Sequence, residues 1–410
     1  MFFAVVDILP ELLKRVQGYI YPNELNLIWS VVIVVYPYLT GLVAGAFIMA
    51  SLVKVFNVKA LEPIYRLSLL TALAFLLIAP LPLLVHLGHP ERFYEVLMTP
   101  HVTSPMAIFG FVYAWYLMAV LLLELWFDYR ADLVRWSQTE RGLLRLFYRV
   151  ATLGVMDVSE KAVAFDHRMA KAITVIGIPS AFLLHGYVGF IFGSIKANPW
   201  WGTALMPIIF IFSAMVSGIA LVLFMYVVLS WVRKVSLDAP CLEAIAKFLF
   251  YALVVDATLE SLDWIHRLYV AEEYLDVLVL LASGKLFYSF LLMQVFLGTL
   301  VPFALLGLMQ VFPDKAGPLV RKAVSFVCAM LILVGVLAMR WNVVIGGQLF
   351  SKSLRGFTTY KLELMGQEGL FVSVVLLLLP FAILAVLVKL LLPTKPEGPE
   401  QPLSAISSIA

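Results

Sequence analysis

The sequence predicts an all-α polytopic membrane protein of about nine transmembrane helices, arranged as two four-helix bundles plus an extra C-terminal helix. Of 410 residues, 63% are hydrophobic and 13% charged, and the mean hydropathy is +0.99; a water-soluble chain of this size covers its surface with far more charge. The apolar residues fall in long runs, and about 20 of them in a helix cross the ~30 Å hydrocarbon core of a bilayer. Helix ends four spans apart also resemble one another, which groups the helices in fours.

Residues 1–26 are expected at the membrane interface. Met1–Ile20 alternates short apolar runs with Asp7, Glu11, Lys14 and Arg15 around Pro10, too interrupted to span and without a small-residue cleavage site. An interfacial helix is the expectation there. The first bundle, 27–193, takes Leu27–Leu52, Ile64–Leu87, Ala107–Trp126 and Ile173–Phe192. The second, 204–345, takes Ala204–Val232, Ala244–Ser261, Leu286–Val311 and Ala323–Ile345; Leu370–Leu392 is the ninth helix. The sixth run is the most interrupted, but Phe248–Val254 is wholly apolar and the flanking helices require a crossing between them. The tail, 393–410, is rich in Pro and Ser and is expected to be disordered.

Loop charge sets the expected orientation in the cell's inner membrane. The side holding the loops after helices one, three, five and seven and the C-terminus collects 19 of the 29 Lys and Arg, so it is cytoplasmic, with the N-terminus outside and the C-terminus inside. Much of that excess lies in a basic loop, 128–171, with Arg130, Arg135, Arg141, Arg145, Arg149, Lys161, Arg168 and Lys171. Within it, Ser137 to Glu140 has the form of a capping box, followed by Leu143, Leu144, Phe147 and Val150 on one side and arginines on the other. This reads as a helix on the inner membrane surface, ahead of a docking site for a cytoplasmic protein.

Composition removes several function classes. A net charge of +3 held in loops is orientation, so no nucleic acid is expected as a partner. Cys241 and Cys328 lie far apart without a CxxC neighbour, which leaves no thiolate cluster or zinc site and no metal in this chain. A bis-histidine haem needs two facing ligands at one depth, and only His185 is clearly inside a span, so no haem is expected. Walker, GxSxG and dinucleotide motifs are missing, no catalytic residue is assigned, and the chain stores no electrons itself.

The internal echo has three parts. LLVHLGHPERFYEV after helix two and LDWIHRLYVAEEY on helix six each place a His shortly before an Arg and a Tyr. GYVGFIFGS of helix four aligns with RWNVVIGGQ of helix eight, Gly193 matching Gly347. Helices one and five share a Trp near the start and small residues further in: Gly41, Ala44 and Gly45 against Ser213, Ser217 and Gly218. Two similar bundles explain these matches, against chance similarity of apolar segments.

The strongest functional signal is a charged stripe in the sixth helix: Asp256, Glu260, Asp263 and Arg267. Spacings of 0, 4, 7 and 11 keep them within about 60° on a helix turning ~100° per residue. An ionised group in hydrocarbon costs at least about 2.5 kcal/mol, so such a stripe faces protein, water or a partner charge. His185, Tyr187, Arg340 and Asn342 lie toward the same side, and Glu124 sits near the cytoplasmic end of helix three. Each has a plain alternative: Glu124 as a headgroup-level carboxylate reaching water, Arg340 as counter-ion to Asp256 or Glu260, His185 as a packing histidine. A proton path or buried network of Glu124, Asp256, Glu260, Asp263 and Arg340 accounts for them together.

The stretches YPYLTGLVAGAFI, HLGHPERFYEVLMTPHVTSPM, HGYVGFIFGSIKANPWWGTALMPIIFIFSAMVSGIAL and RWNVVIGGQ resemble the NrfD/PsrC family of membrane subunits, the polysulfide reductase anchor among them. Within it the chain is most similar to the DsrP/Hme-type branch, linked to dissimilatory sulfite reductase. That resemblance implies a subunit that binds quinone, menaquinone or a similar species, without a cofactor of its own. It implies an iron–sulfur ferredoxin-like partner on the outer face, and as further partners a multihaem cytochrome c, a haem b membrane subunit or a molybdopterin catalytic subunit. It also implies that Tyr187 contacts the quinone, and that an N-terminal span of longer members is reduced here to the interfacial segment. Helix one departs from the pattern, offering only Tyr36, Tyr38 and Thr40 where the family has polar quinone contacts.

The resulting expectation is a quinone near the outer ends of helices two to four, among His86, His89, Arg92, His185 and Tyr187, exchanging electrons with the iron–sulfur partner in sulfite or polysulfide respiration, with proton translocation through the second bundle. A proton-coupled secondary transporter or channel is the rival, since intramembrane carboxylates occur there too. A purely structural anchor is the third reading.

Overall fold

The computed structural model describes residues 17–99, 101, 103–270, 274–312 and 315–392. The expected interfacial helix at 1–16 and the tail at 393–410 lie outside the described residues. A short strand begins at residue 17: β1 (Gln17–Gly18) pairs antiparallel with β2 (Gly356–Phe357).

Eight helices among the described residues are long and apolar enough to cross a membrane. They are α1 (Val31–Lys54), α2 (Lys59–His86), α3 (Gly110–Thr139), α5 (Glu160–Gly193), α6 (Met206–Arg233), α9 (Phe287–Val311), α10 (Pro318–Gln348) and α11 (Leu370–Leu391). Between them stand α4 (Gly142–Ala151), α7 (Ala239–Val270) and α8 (Leu275–Ser283). The charged stripe keeps α7 off the set of apolar spans, but its 32 residues rise about 48 Å. Its two ends are tied to opposite ends of the molecule: Asp238 N–H donates to Tyr226 OH on α6, 3.1 Å, and Arg267 Nη1 to Pro199 O, 2.5 Å.

α1 is apolar all round and buried on every side, as a central helix must be. It crosses α6 at the small-residue patches. A Cβ on Gly218 would lie 2.3 Å from Gly45 Cα, so only hydrogen at both positions lets the backbones meet. The two sets of four helices are therefore joined through their first members. α2 breaks at Ala79–Pro80, where Pro80 and Pro82 end one helical stretch and start the next. α3 and α9, the third helices of the two sets, both contain π-helical stretches, Trp115–Leu122 and Phe287–Leu300.

One end of the molecule is capped by the 346–369 segment folded over the start of α1. Trp29 N–H donates to Gln348 Oε1, 3.0 Å, and Val31 N–H to Tyr360 OH, 3.0 Å. Trp201 Nε1 donates to Val343 O, 2.6 Å, and its ring stacks on Trp29. The opposite end carries α4. Two expectations about 128–171 are corrected there. The segment is mostly helical, because α3 runs on to Thr139 and α5 starts at Glu160, held together by Arg130, whose Nη2 lies 2.6 Å from Asp166 Oδ2. No capping box forms at Ser137: that residue is inside α3, buried, with its hydroxyl on Val134 O at 2.7 Å. The surface helix itself exists as α4, docked on α11 by a Tyr148 OH bond to Leu390 O, 2.8 Å.

Candidate functional site

The centre of the molecule holds an arginine. Arg340 on α10 is fully buried between the two sets of helices. Its Nη2 donates to His185 Nε2 at 3.0 Å and Ser213 Oγ at 2.7 Å, Nη1 reaches Met339 Sδ at 3.1 Å, and the guanidinium lies 4.1 Å from the centre of the Phe210 ring. A guanidinium only donates, so His185 accepts at Nε2 and carries its proton on Nδ1. That proton points to Thr40 Oγ1, 3.3 Å away, whose own hydroxyl donates to the Tyr36 and Pro37 carbonyls. Gly41 makes room for the ring, since a Cβ there would stand 3.1 Å from His185 Cε1. Four helices, α1, α5, α6 and α10, thus meet at one neutral imidazole.

The charges acting on Arg340 come from α7, namely Asp256 and Glu260. The hydrogen bonds of Arg340 go to His185, Ser213 and Met339 and to neither carboxylate among the described residues, so any counter-ion role of Asp256 and Glu260 is exerted through space. The stripe faces inward as its spacing requires. Asp256, Asp263 and Arg267 are buried, while their neighbours Val255, Leu262, Ile265 and Leu268 are exposed. Gln294 Nε2 holds both Glu260 oxygens, 3.1 and 3.2 Å, and Asn342 Nδ2 donates to Gln294 Oε1, 2.8 Å. Thr203 Oγ1 donates to Asp263 Oδ1, 2.6 Å, and Arg267 Nε to Asp263 Oδ2, 2.9 Å. Asp256 Oδ1 and Arg340 Nε are buried without a partner among the described residues. The stripe borders a cavity of about 70 Å³ whose lining includes Trp200, Glu260, Asp263, Trp264, Phe290 and Gln294.

Glu124 occupies a separate site toward the α4 end. It is fully buried and does not reach water: Thr174 Oγ1 donates to its Oε1 at 2.8 Å, and Oε2 has no partner among the described residues. One turn on, Asp128 takes Lys54 Nζ at 2.5 Å and the Tyr65 hydroxyl. Arg66 bonds Asp132 at 2.6 Å and covers the Tyr129 ring.

The residues expected to bind quinone are not brought together. His86 Nδ1 pairs with Glu368 at 3.0 Å in the segment before α11. His89 is three-quarters exposed and pairs with Glu91, and Arg92 is exposed. Tyr187 stacks on Phe190. Residues two apart on a helix point about 200° apart, so Tyr187, half-buried against the core, lies on a different face of α5 from His185. Both His185 nitrogens are engaged inside the protein, leaving no N–H for a quinone carbonyl.

Sequence reasoning misses Ser213, Phe210, Gln294, Thr174 and Lys54 as site residues. A signal exists for Gln294, the lone amide in the apolar run LLMQVF. Ser213 reads only as a small packing residue, and nothing local marks Phe210 as the base on which Arg340 rests.

These features define a multi-pass membrane protein with ionisable side chains buried at membrane depth. The chain belongs to the NrfD family: the sequence profile described as Polysulphide reductase, NrfD, matches residues 22–352. It is 40% identical over 205 residues to a selenate reductase subunit of Mesobacillus selenatarsenatis, covering 48% of this chain and 47% of that protein. It is 27% identical over 204 residues to protein NrfD of Escherichia coli, 48% of this chain and 59% of that one. An Hdr-like menaquinol oxidoreductase integral membrane subunit of Archaeoglobus fulgidus is 23% identical over 349 residues, 84% and 77% of the two chains. The match spans about half the length of the selenate reductase subunit.

Proposed function

We propose that the chain is the quinone-linked membrane subunit of a respiratory oxidoreductase complex. It exchanges electrons between menaquinone, or a similar quinone, and an iron–sulfur subunit seated on the capped end, which is the outer face. A quinone takes up two electrons and two protons to become a quinol, so the membrane subunit must offer proton-carrying groups near the headgroup. The inward-facing ladder of Asp256, Glu260 and Asp263 beside a cavity is the observation that carries this reading. The A. fulgidus relative, named a menaquinol oxidoreductase subunit, supports the quinone, and the family description supports a sulfur compound as terminal substrate. A multihaem cytochrome c, a haem b membrane subunit or a molybdopterin catalytic subunit completes such a complex.

The test is quinol-dependent reduction of the co-purified iron–sulfur subunit. Asp256→Asn and Glu260→Gln should each lower turnover by about tenfold or more, while assembly is retained, because each removes a proton carrier; unchanged turnover in both would refute the reading. A proton-coupled transporter is the second reading, favoured by the matched π-helical stretches in α3 and α9. Solute movement by the lone chain in liposomes would select it.

A further inference from the structure

We infer that α7, α9 and α10, at their ends nearest α4, enclose a binding site for the phosphate headgroup of an anionic membrane lipid. The inference is independent of the quinone-linked reading and concerns the end of the molecule opposite the cap. α7 begins at Ala239, just after α6. Arg233 of α6 donates to Leu392 O at 2.7 Å, at the same end of α11 on which Tyr148 docks α4.

Four side chains on facing helices form two layers there. At the mouth, Arg321 Nη1 of α10 donates to Glu243 Oε1 of α7, and Arg321 Nε donates to Ala316 O at 3.2 Å. Lys247 and Ser325 line the same space one turn further in, about 6 Å along each helix. The space is a cavity of about 180 Å³, to which α9 contributes Gln310. It exceeds the roughly 10–15 Å³ that admits one water and falls short of the roughly 300–1,000 Å³ of a whole small-molecule site. It therefore takes a small polar group and leaves the rest of the ligand outside.

The lining calls for an anion. Ser325 is 1% exposed, and its Oγ has no partner among the described residues, whereas Ser217 and Ser373 bond the carbonyl four residues back. A hydroxyl sealed in this way is costly unless a ligand accepts from it. Lys247 and Gln310 make no side-chain hydrogen bond among the described residues, and Arg321 keeps Nη2 unused. Two cations, a hydroxyl and an amide thus face a single carboxylate, which Arg321 already holds. A phosphate diester accepts from all of these donors. The surroundings identify its source: Tyr251, one turn beyond Lys247, and Leu308 and Val311, beside Met309 and Gln310, are exposed. A free phosphate gains nothing from such an apolar rim, whereas acyl chains lie along it. On the orientation that loop charge sets, this is the inner leaflet, where anionic lipid is available.

The test is native mass spectrometry of the purified full-length chain, titrated with phosphatidylglycerol, with phosphatidylcholine of the same acyl chains, and with inorganic phosphate. Phosphatidylglycerol should bind about tenfold or more tightly than phosphatidylcholine, and Lys247→Gln should weaken it about fivefold. Ser325→Ala should weaken it less, and Lys352→Gln, an equal charge change at the capped end, should leave it unchanged. Glu243→Gln should strengthen binding, because it releases Arg321 to the phosphate; weaker binding in that variant would show a structural ion pair and overturn the role of Arg321. Equal binding of the two lipids, or equal losses in Lys247→Gln and Lys352→Gln, would overturn the site. Displacement of phosphatidylglycerol by millimolar inorganic phosphate would overturn the lipid as occupant in favour of a free anion. If a variant fails to fold, the wild-type chain still decides: phosphatidylglycerol should raise its melting midpoint in detergent above that with phosphatidylcholine, and equal shifts would overturn the proposal.

Discussion

A buried guanidinium needs its donors satisfied and an opposite charge in range. For Arg340 the donors go to His185, Ser213 and Met339, while the charge comes from Asp256 and Glu260. Arg340→Met removes the cation and leaves the carboxylates uncompensated, which should destabilise the purified protein by about 3–5 kcal/mol; a thermal-unfolding midpoint in detergent checks it. Arg340→Lys keeps the charge but cannot reproduce the fork, so it should fall between the two. A smaller effect belongs to Thr174, whose hydroxyl donates to the buried Glu124 carboxyl. Thr174→Val should cost about 1 kcal/mol in the same measurement, the usual worth of such a bond.

Among the helices, the decisive features are where they touch and where they depart from 3.6 residues per turn. The α1–α6 crossing brings Gly45 against Gly218 with no room for a methyl group. Gly218→Val should reduce stability by about 1–3 kcal/mol or more, the usual cost of overpacking. Gly88→Ala, in open space, should leave it unchanged; paired melting curves distinguish the two. The π-helical stretches matter differently. One precedes Glu124 by two residues and the other carries Gln294, so in each set the widened turn sits beside a buried polar side chain. α4 presents Leu143, Phe147 and Val150 outward, with Arg145 and Arg149 on the opposite side, the arrangement of a helix lying along a membrane surface.

For the whole molecule, orientation follows from charge and is directly measurable. The α4 end should face the cytoplasm and the 346–369 cap the outside. Lys352→Cys should react with a membrane-impermeant maleimide in intact cells, and Arg145→Cys only in inverted vesicles; Cys241 and Cys328 are buried and should add little background. The reverse pattern would place the carboxylate cavity on the cytoplasmic side and remove the outer-face partner. The cap also explains how distant parts of the chain are fixed together: Glu24 accepts from the Ser351 hydroxyl, and β1 pairs with β2.

Membrane character, the spanning segments and the inward turn of the Asp256 stripe are legible along the chain, because hydrophobic run length and helical spacing are local properties that the bilayer reads directly. The small-residue patches are legible too, since close helix approach leaves a compositional mark. Their partners are not. That Gly45 meets Gly218, that His185 turns to Arg340 and away from Tyr187, and that Glu124 is sealed beneath Thr174 all depend on how helices distant in sequence are rotated against one another. Rotation of a helix apolar on every side is not encoded in its own pattern. The π-helical turns of α3 and α9 shift the facing of every residue after them, which no count of 3.6 per turn anticipates. The cavity beside the stripe assembles from the Trp200 segment, α6, α7, α9 and α10, where side chains up to about 140 positions apart converge only once the helices have packed.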